Sequence, residues 1–285
     1  MEPSTIQETL IKAVELQTQG DLDAASTLFH EVLKVDTHNA AALYSLSVIA
    51  LNAGDSVKAL QLSTRGIQFN PQFAPLRYIH TTILQNQAIE LQNQGKPDAA
   101  AKLFHELLEL DADNAIALYS LSLIAHNSGN SAEALKLSTH GTQSNPKFAP
   151  LWLIHGAILQ AMGNKDEALL GFDAALEIQP ETIDALLNSG ALLRSMYRHH
   201  EALERFNKII GIDPNNASAL NNLGILLTEF KQSERAIEMF ERLLKIKPDY
   251  DYALGLLFYE KMHVCDWSDF DAQVHKIVAE IRAGL

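Results

Sequence analysis

Apolar residues recur along this chain three and four positions apart, and no stretch alternates apolar with polar as a half-buried strand would. The helical rhythm is itself periodic. Residues 149–182, 183–216 and 217–250 align without gaps in a frame of 34. Its fourth position holds Trp152, Leu186 and Leu220, its eighth Gly156, Gly190 and Gly224, and its twentieth Ala168, Ala202 and Ala236. Phe172, Phe206 and Phe240 stand at the twenty-fourth, and Pro180, Pro214 and Pro248 at the thirty-second. Each frame predicts two antiparallel helices. Small residues let the backbones approach where the helices cross, so Gly156 is expected to face Ala168, Gly190 Ala202, and Gly224 Ala236. The large residues at positions 4 and 24 are expected to fill the space between neighbouring repeats. The late proline cannot continue a helix and marks the turn to the next frame. Gly20, Gly54, Gly95, Gly129 and Gly163 recur between paired helices, where a left-handed turn suits glycine.

This pattern resembles the tetratricopeptide-repeat family over almost the whole chain. The frame extends back to 115–148, with Leu118, Leu121, Ala134 and Pro146, and to 40–73, with Leu43, Leu46, Ala59 and Pro71. It is looser at 81–114 (Ala100, Phe104) and 6–39 (Ala25, Phe29), where the terminal proline is missing. The resemblance implies an all-α fold, a right-handed superhelix of about seven helix–turn–helix repeats followed by a C-terminal capping segment. Residues 251–262 read as the first helix of an eighth repeat, with Leu254 and Leu257. The expected organisation is therefore a solenoid over 1–262 and a junction or capping helix over 263–285.

A larger duplication overlies the short one. Residues 13–85 match 88–160 without a gap, with 46 of 73 positions identical. The offset of 75 is two frames plus seven residues, which fall at 74–80. Ala74-Pro75-Leu76 copies Ala149-Pro150-Leu151, which opens a helix, while 81–94 already reads as helix in the frame. One long helix from Pro75 to Gln94, with proline in its first turn, reconciles the two. Seven residues are nearly two turns, so the apolar face stays in phase to within ~20°.

A solenoid needs polar covers at its ends. Ser4 with Gln7 reads as a capping box for the first helix, and Ser268 with Asp271 for a last one. The apolar stripe of that last helix is Phe270, Val274, Ile277, Val278 and Ile281, and Phe270 is expected to pack near Leu254 and Leu257. Residues 263–271 read HVCDWSDFD, which no tetratricopeptide repeat requires. Directly after a repeat array, this segment resembles the junction of the O-linked N-acetylglucosamine transferase (SPINDLY-like) family, on Cys265, Asp266, Trp267, Asp269 and Asp271. The resemblance implies a glycosyltransferase domain beyond the junction, so this chain is expected to be the acceptor-recognition part, truncated before the catalytic domain. In that family an asparagine two residues before the conserved glycine lines the concave face. Asn188 and Asn222 match it, whereas Ile154, Ser120 and Ser45 do not, so the ladder is partial.

Charge and composition narrow the partners. The net charge of −13 repels phosphate backbones and anionic lipids, which argues against nucleic acid and membrane surfaces. The opening MEPSTIQETL lacks the features of a signal peptide, no apolar run approaches the ~20 residues of a membrane span, and Cys265 is the only cysteine. A cytoplasmic protein is expected. The first helices should line a concave groove for protein or peptide ligands, presenting Tyr44, Asn52, Asn93, Tyr119, Asn127, Asn221 and Tyr252 beside Asn188 and Asn222. An asparagine amide both donates to and accepts from a peptide backbone, and tyrosine adds stacking area with a polar tip. Cys265, Asp266, Trp267 and Phe270 are expected to cap the array or dock a neighbour.

Chemistry within the chain is harder to place. No phosphate loop or dinucleotide motif occurs, so no cofactor and no catalytic residue is expected. His30 and His105, and likewise His80 and His155, are copies of one structural position, and the adjacent His199 and His200 cannot face one ion from a helix. No metal site is expected. Two alternatives to a binding scaffold stay open: a structural module that self-associates as a homodimer, and an enzyme active within this chain.

Overall fold

The structure, a computed structural model, describes residues 3–268 and 270–283, with side chains at 4–268, 270–272 and 274–278. Among the described residues it is all α, without a strand. The helices run α1 (Pro3–Gln19), α2 (Leu22–Val35), α3 (Ala40–Asn52), α4 (Ser56–Phe69), α5 (Ala74–Asn93), α6 (Pro97–Leu110), α7 (Ala115–Asn127) and α8 (Ser131–Ser144). They continue with α9 (Ala149–Ala161), α10 (Lys165–Ile178), α11 (Ile183–Ser195), α12 (His199–Ile212), α13 (Ala217–Glu229), α14 (Ser233–Ile246), α15 (Ala253–His263) and α16 (Phe270–Ala283). No helix is long and apolar enough to cross a membrane.

The chain forms two compact bodies, Met1–Ser128 and Gly129–Leu285. In each, a helix packs on its neighbours in sequence. In the first body α1 and α3 also touch, as do α3 and α5; in the second, α9 meets α11, α11 meets α13, and α13 meets α15. Among the described residues no two second helices meet to that extent. The first helices of successive repeats therefore form the closer-packed, inner row of each body.

Phe29, Phe104, Phe172, Phe206 and Phe240, all at position 24, are completely buried. Their role differs from the expected filling between repeats. A Cβ added at Gly190 would lie 2.8 Å from the Phe206 ring, and one at Gly224 2.7 Å from Phe240. At Gly156 it would meet Phe172 at 2.8 Å and the Ala168 carbonyl at 3.0 Å. The glycine at position 8 thus makes room chiefly for the ring of its own repeat, and only secondarily for the alanine backbone. Repeats 40–73 and 115–148 are built otherwise. Ser47 and Ser122 hold position 8 and donate back to Leu43 O (2.7 Å) and Leu118 O (2.6 Å), while Ser63 and Ser138 replace the phenylalanine.

The α5 helix is unbroken over its 20 residues, where the other first helices of complete repeats after α1 have 13. Pro75 sits in its first turn, Leu76 is buried against Gly66 of α4, and Arg77 donates to Leu110 O at the end of α6 (3.2 Å).

Left-handed residues mark the turn inside each helix pair: Gly20, Gly54, Gly95, Gly129 and Gly163, then Tyr197, Lys231 and Cys265 with φ near 58–59°. They recur every 34 residues except for one step of 41, between Gly54 and Gly95, where the seven extra residues fall. This corrects the framing of HVCDWSDFD. Cys265 occupies the turn of an eighth helix pair, and α16 stands where its second helix belongs. Phe270 falls at position 20, where the other repeats carry alanine. A ring there forbids close crossing, so Phe270 meets Phe258 (5.3 Å between centroids) and Trp267 (5.4 Å) and stays 38% exposed. Leu254 and Leu257, on the same helix as Phe258, are buried.

Neither capping box takes the expected form. Pro3 is already helical, so Ser4 lies inside α1 rather than at its cap. The Ser268 hydroxyl and N–H both donate to Asp266 Oδ1, at 2.7 and 3.1 Å, which closes a turn rather than capping α16. Asp269 and the Ile281 side chain lie outside the described residues.

Candidate functional site

The inner row of the first body carries two kinds of candidate. Tyr44 of α3 and Tyr119 of α7 are half-buried, and Tyr44 turns the edge of its ring to Phe73 at 6.5 Å. Asn52, Asn93 and Asn127 are each the last residue of their helix and are exposed. The frame places these three at one equivalent position, just before the turn glycine. They form a register of amides at the helix C-termini rather than a row along the helix faces.

In the second body Asn188 of α11 and Asn222 of α13 sit one frame apart, with Asn221 beside the latter, and all three are half-buried. The amide of Asn222 donates one hydrogen to Ser218 O of its own helix at 2.9 Å, which leaves its other N–H and its carbonyl for a ligand. Asn188 and Asn221 have no such engagement among the described residues. The corresponding Ile154, and Ser45 and Ser120 in the first body, are buried, which closes the rest of the ladder. Tyr252 is a correction. It lies before α15 with φ 60° and is 85% exposed, because the helix begins at Ala253, so it is not on the helix face assigned to it.

The structure adds charged groups that periodicity did not single out. Arg194, near the end of α11, reaches Glu229 at the end of α13 (3.4 Å), and His199 Nδ1 approaches the same carboxylate at 2.9 Å. Two side chains of one repeat thus reach one carboxylate of the next at the rim of the inner row. Arg205 of α12 pairs with Asp173 of α10 at 2.7 Å on the other side. Two serine–histidine contacts also appear, the first buried and the second half-buried: Ser63 Oγ to His80 Nδ1 and Ser138 Oγ to His155 Nδ1, both 2.9 Å. Their signal was present in sequence, since both members of each pair are duplicated at a spacing of 17. Among the described residues no group of three or more histidine, cysteine and carboxylate side chains is placed to hold a metal.

At the C-terminal end Trp267 is 53% exposed and Cys265 is exposed. Ser268 holds the Asp266 carboxyl below its usual range by hydrogen bonding, with Lys261 nearby. Lys261 itself bridges to Glu241 of α14 at 3.0 Å, tying the eighth pair to the seventh.

Profiles of the tetratricopeptide repeat match residues 12–72 and 86–137, and a second such profile matches 181–249; together they span more than half the chain. Cellulose synthase 2 operon protein C of Komagataeibacter xylinus is 27% identical over 156 residues, 55% of this chain and 11% of that protein. A DnaJ homolog subfamily C member 7 homolog of Schizosaccharomyces pombe is 27% identical over 111 residues, 36% of this chain and 23% of that protein. The chain thus spans under a quarter of either relative. Among solved structures, YrrB, a TPR protein with an unusual peptide-binding site, superposes with a TM-score of 0.55 at 23% identity, over 68% of this chain and 96% of YrrB. PilF of Pseudomonas aeruginosa gives 0.55 at 17% identity over 74% of this chain and 92% of its own, and MamA of Desulfovibrio magneticus RS-1 gives 0.53 at 18% over 60% and 97%. At these identities the likeness is one of fold.

Proposed function

The chain belongs to the tetratricopeptide-repeat family, and from that premise we propose that it is a protein-interaction scaffold whose inner rows of first helices bind extended segments of partner proteins. The observation that carries this reading is the pair Asn188 and Asn221, half-buried on adjacent first helices with their amides unengaged. Such amides match the alternating donors and acceptors of a peptide backbone. The net charge of −13 favours segments that are neutral or basic. YrrB, which shares the fold, is described as having a peptide-binding site, which is consistent with this use. The narrower role of recognising acceptors for a protein O-glycosyltransferase rests on the HVCDWSDFD resemblance alone. The fold accounts for that segment as a repeat turn, and the relatives named above add nothing to the narrower role.

A displayed library of random peptides selected on the intact chain tests the proposal. Selected peptides should bind Asn188→Ala/Asn221→Ala about 5- to 100-fold more weakly, at about 0.5–1.5 kcal/mol per lost hydrogen bond, with an unchanged melting curve. Equal affinity of wild type and variant for every selected peptide would remove the inner row as the site.

A further inference from the structure

A cavity of about 190 Å³ opens in the first body, between the start of α2, the end of α3 and the start of α4. The buried Leu46 and Ala50 and the half-buried Ile49 line it, with the exposed Leu22 and Ala53 at its mouth. Three residues around it are small where the last three complete repeats carry large ones. Ala53 holds position 14, which is Met162, Met196 and Phe230 there. Ala50 holds position 11, which is Leu159, Leu193 and Leu227. Ser26 holds position 21 of the preceding repeat, where α8, α10 and α12 carry Leu135, Leu169 and Leu203. The sequence copy 88–160 keeps the small set as Ala101, Ala125 and Ser128.

Phe230 shows what stands in this space when it is filled. Its ring lies 5.9 Å from that of His199 and 5.3 Å from that of His200, the first residues of α12. Their counterparts at the start of α2 are Leu22 and Asp23, beside Ala53. Leu203 and Phe230 pack on the buried core of the second body, and Leu227 is part of it. The backbone is the same at both places, with φ −79°, ψ −1° at Ala53 and φ −79°, ψ 0° at Phe230. The cavity thus holds the place of one aromatic ring that this repeat does not supply. Its rim is acidic: Asp55 caps α4 through one carboxylate oxygen and keeps the other, Asp23 is exposed, and Lys58 is the single cation among the lining residues. We propose that this cavity is an anchor site, which takes the phenylalanine ring of a partner protein from a segment with a basic residue beside it. Leu22, Leu46 and Ile49 cover the ring, and Asp23 and Asp55 favour the basic neighbour. The site belongs to the first body, whereas Asn188 and Asn221 belong to the second, so it does not rest on the groove proposal.

The test is a methyl carbon–proton NMR titration of the intact chain with three blocked dipeptides: N-acetyl-phenylalanyl-arginine amide, its alanyl-arginine analogue and its phenylalanyl-glutamate analogue. The phenylalanyl-arginine probe should shift the methyls of Leu46 and Ile49 saturably. The alanyl probe should bind about tenfold more weakly, because burial of the ring is lost. The glutamate probe should bind about two- to fivefold more weakly, as expected for charges at an exposed rim. Ala53→Phe supplies the ring from within, on the backbone that Phe230 already adopts, and should abolish the shifts at Leu46 and Ile49. Ser26→Leu narrows the same space from α2 and should weaken the probe independently, with circular dichroism checking that both variants fold. The proposal fails if neither methyl shifts saturably, if the alanyl probe binds as tightly as the phenylalanyl one, or if both folded variants bind as wild type. Tighter binding of the glutamate probe would overturn the basic segment.

Discussion

At Gly190 an added Cβ would stand 2.8 Å from the ring of Phe206, which is completely buried and must shift to accommodate it. Ala13 and Ala88 hold the same position opposite Phe29 and Phe104, so a ring can sit above a methyl when the crossing is set for it. Gly190→Ala is therefore expected near the low end of overpacking costs, about 1 kcal/mol. Gly211→Ala, exposed in α12 with nothing within 4 Å of the new Cβ, should instead stabilise by about 0.5–1 kcal/mol. Urea midpoints of the two variants should move in opposite directions. Lys231, exposed at φ 58° in the seventh turn, holds a backbone state that costs an L side chain about 1–2 kcal/mol, so Lys231→Gly should raise the thermal midpoint. The same substitutions set what could be read in advance. Five turns were legible because glycine marks them; Tyr197, Lys231 and Cys265 adopt the identical backbone without its signature. That is why the last helix pair read as a foreign junction.

Among the helices α5 is the unusual element. Pro75 and the frame at 81–94 both pointed to helix, so its continuity needed no tertiary knowledge. What it does with the extra turns was not legible, because the contact of His80 with Glu106 depends on where α6 lies. His80 and His155 are both held below the usual histidine range, the first by burial, the second by burial against an opposing pull from Glu167. An unfolded histidine protonates near pH 6.5, whereas these rings in the native chain protonate lower, so below about pH 6.5 the unfolded state binds more protons. Stability should be flat above that point and fall as the pH drops below it. Thermal melts between about pH 7 and pH 5 should show a steeper decline for wild type than for His80→Gln/His155→Gln. Equal slopes would mean the rings titrate as exposed ones do.

Across the whole molecule, the extensive helix contacts among the described residues of each body join elements adjacent or next-but-one in sequence. Stability in such an array is local. Leu76→Ala removes a fully buried side chain and should cost about 2–5 kcal/mol, and amide exchange should quicken in α4 and α5 while α1 keeps its protection. The inner rows were legible as faces, but not as chemistry. The engagement of Asn222 with Ser218, and of Glu229 with Arg194 and His199, depends on rotamers and on neighbouring repeats, which a period of 34 does not encode. The duplication has a further consequence, for how the chain reaches this state. Segments 13–85 and 88–160 share 46 of 73 residues, so a helix from one copy meets a nearly equivalent docking surface on the other. A partner taken 75 residues out of register forms many native-like contacts, and closing the longer loop costs only about 2–3 kcal/mol more than a four-residue turn. Two chains at high concentration can make the same exchange between molecules. Correct assembly therefore depends on the short turns closing first, and refolding yield should fall with protein concentration more steeply than for an array of dissimilar repeats.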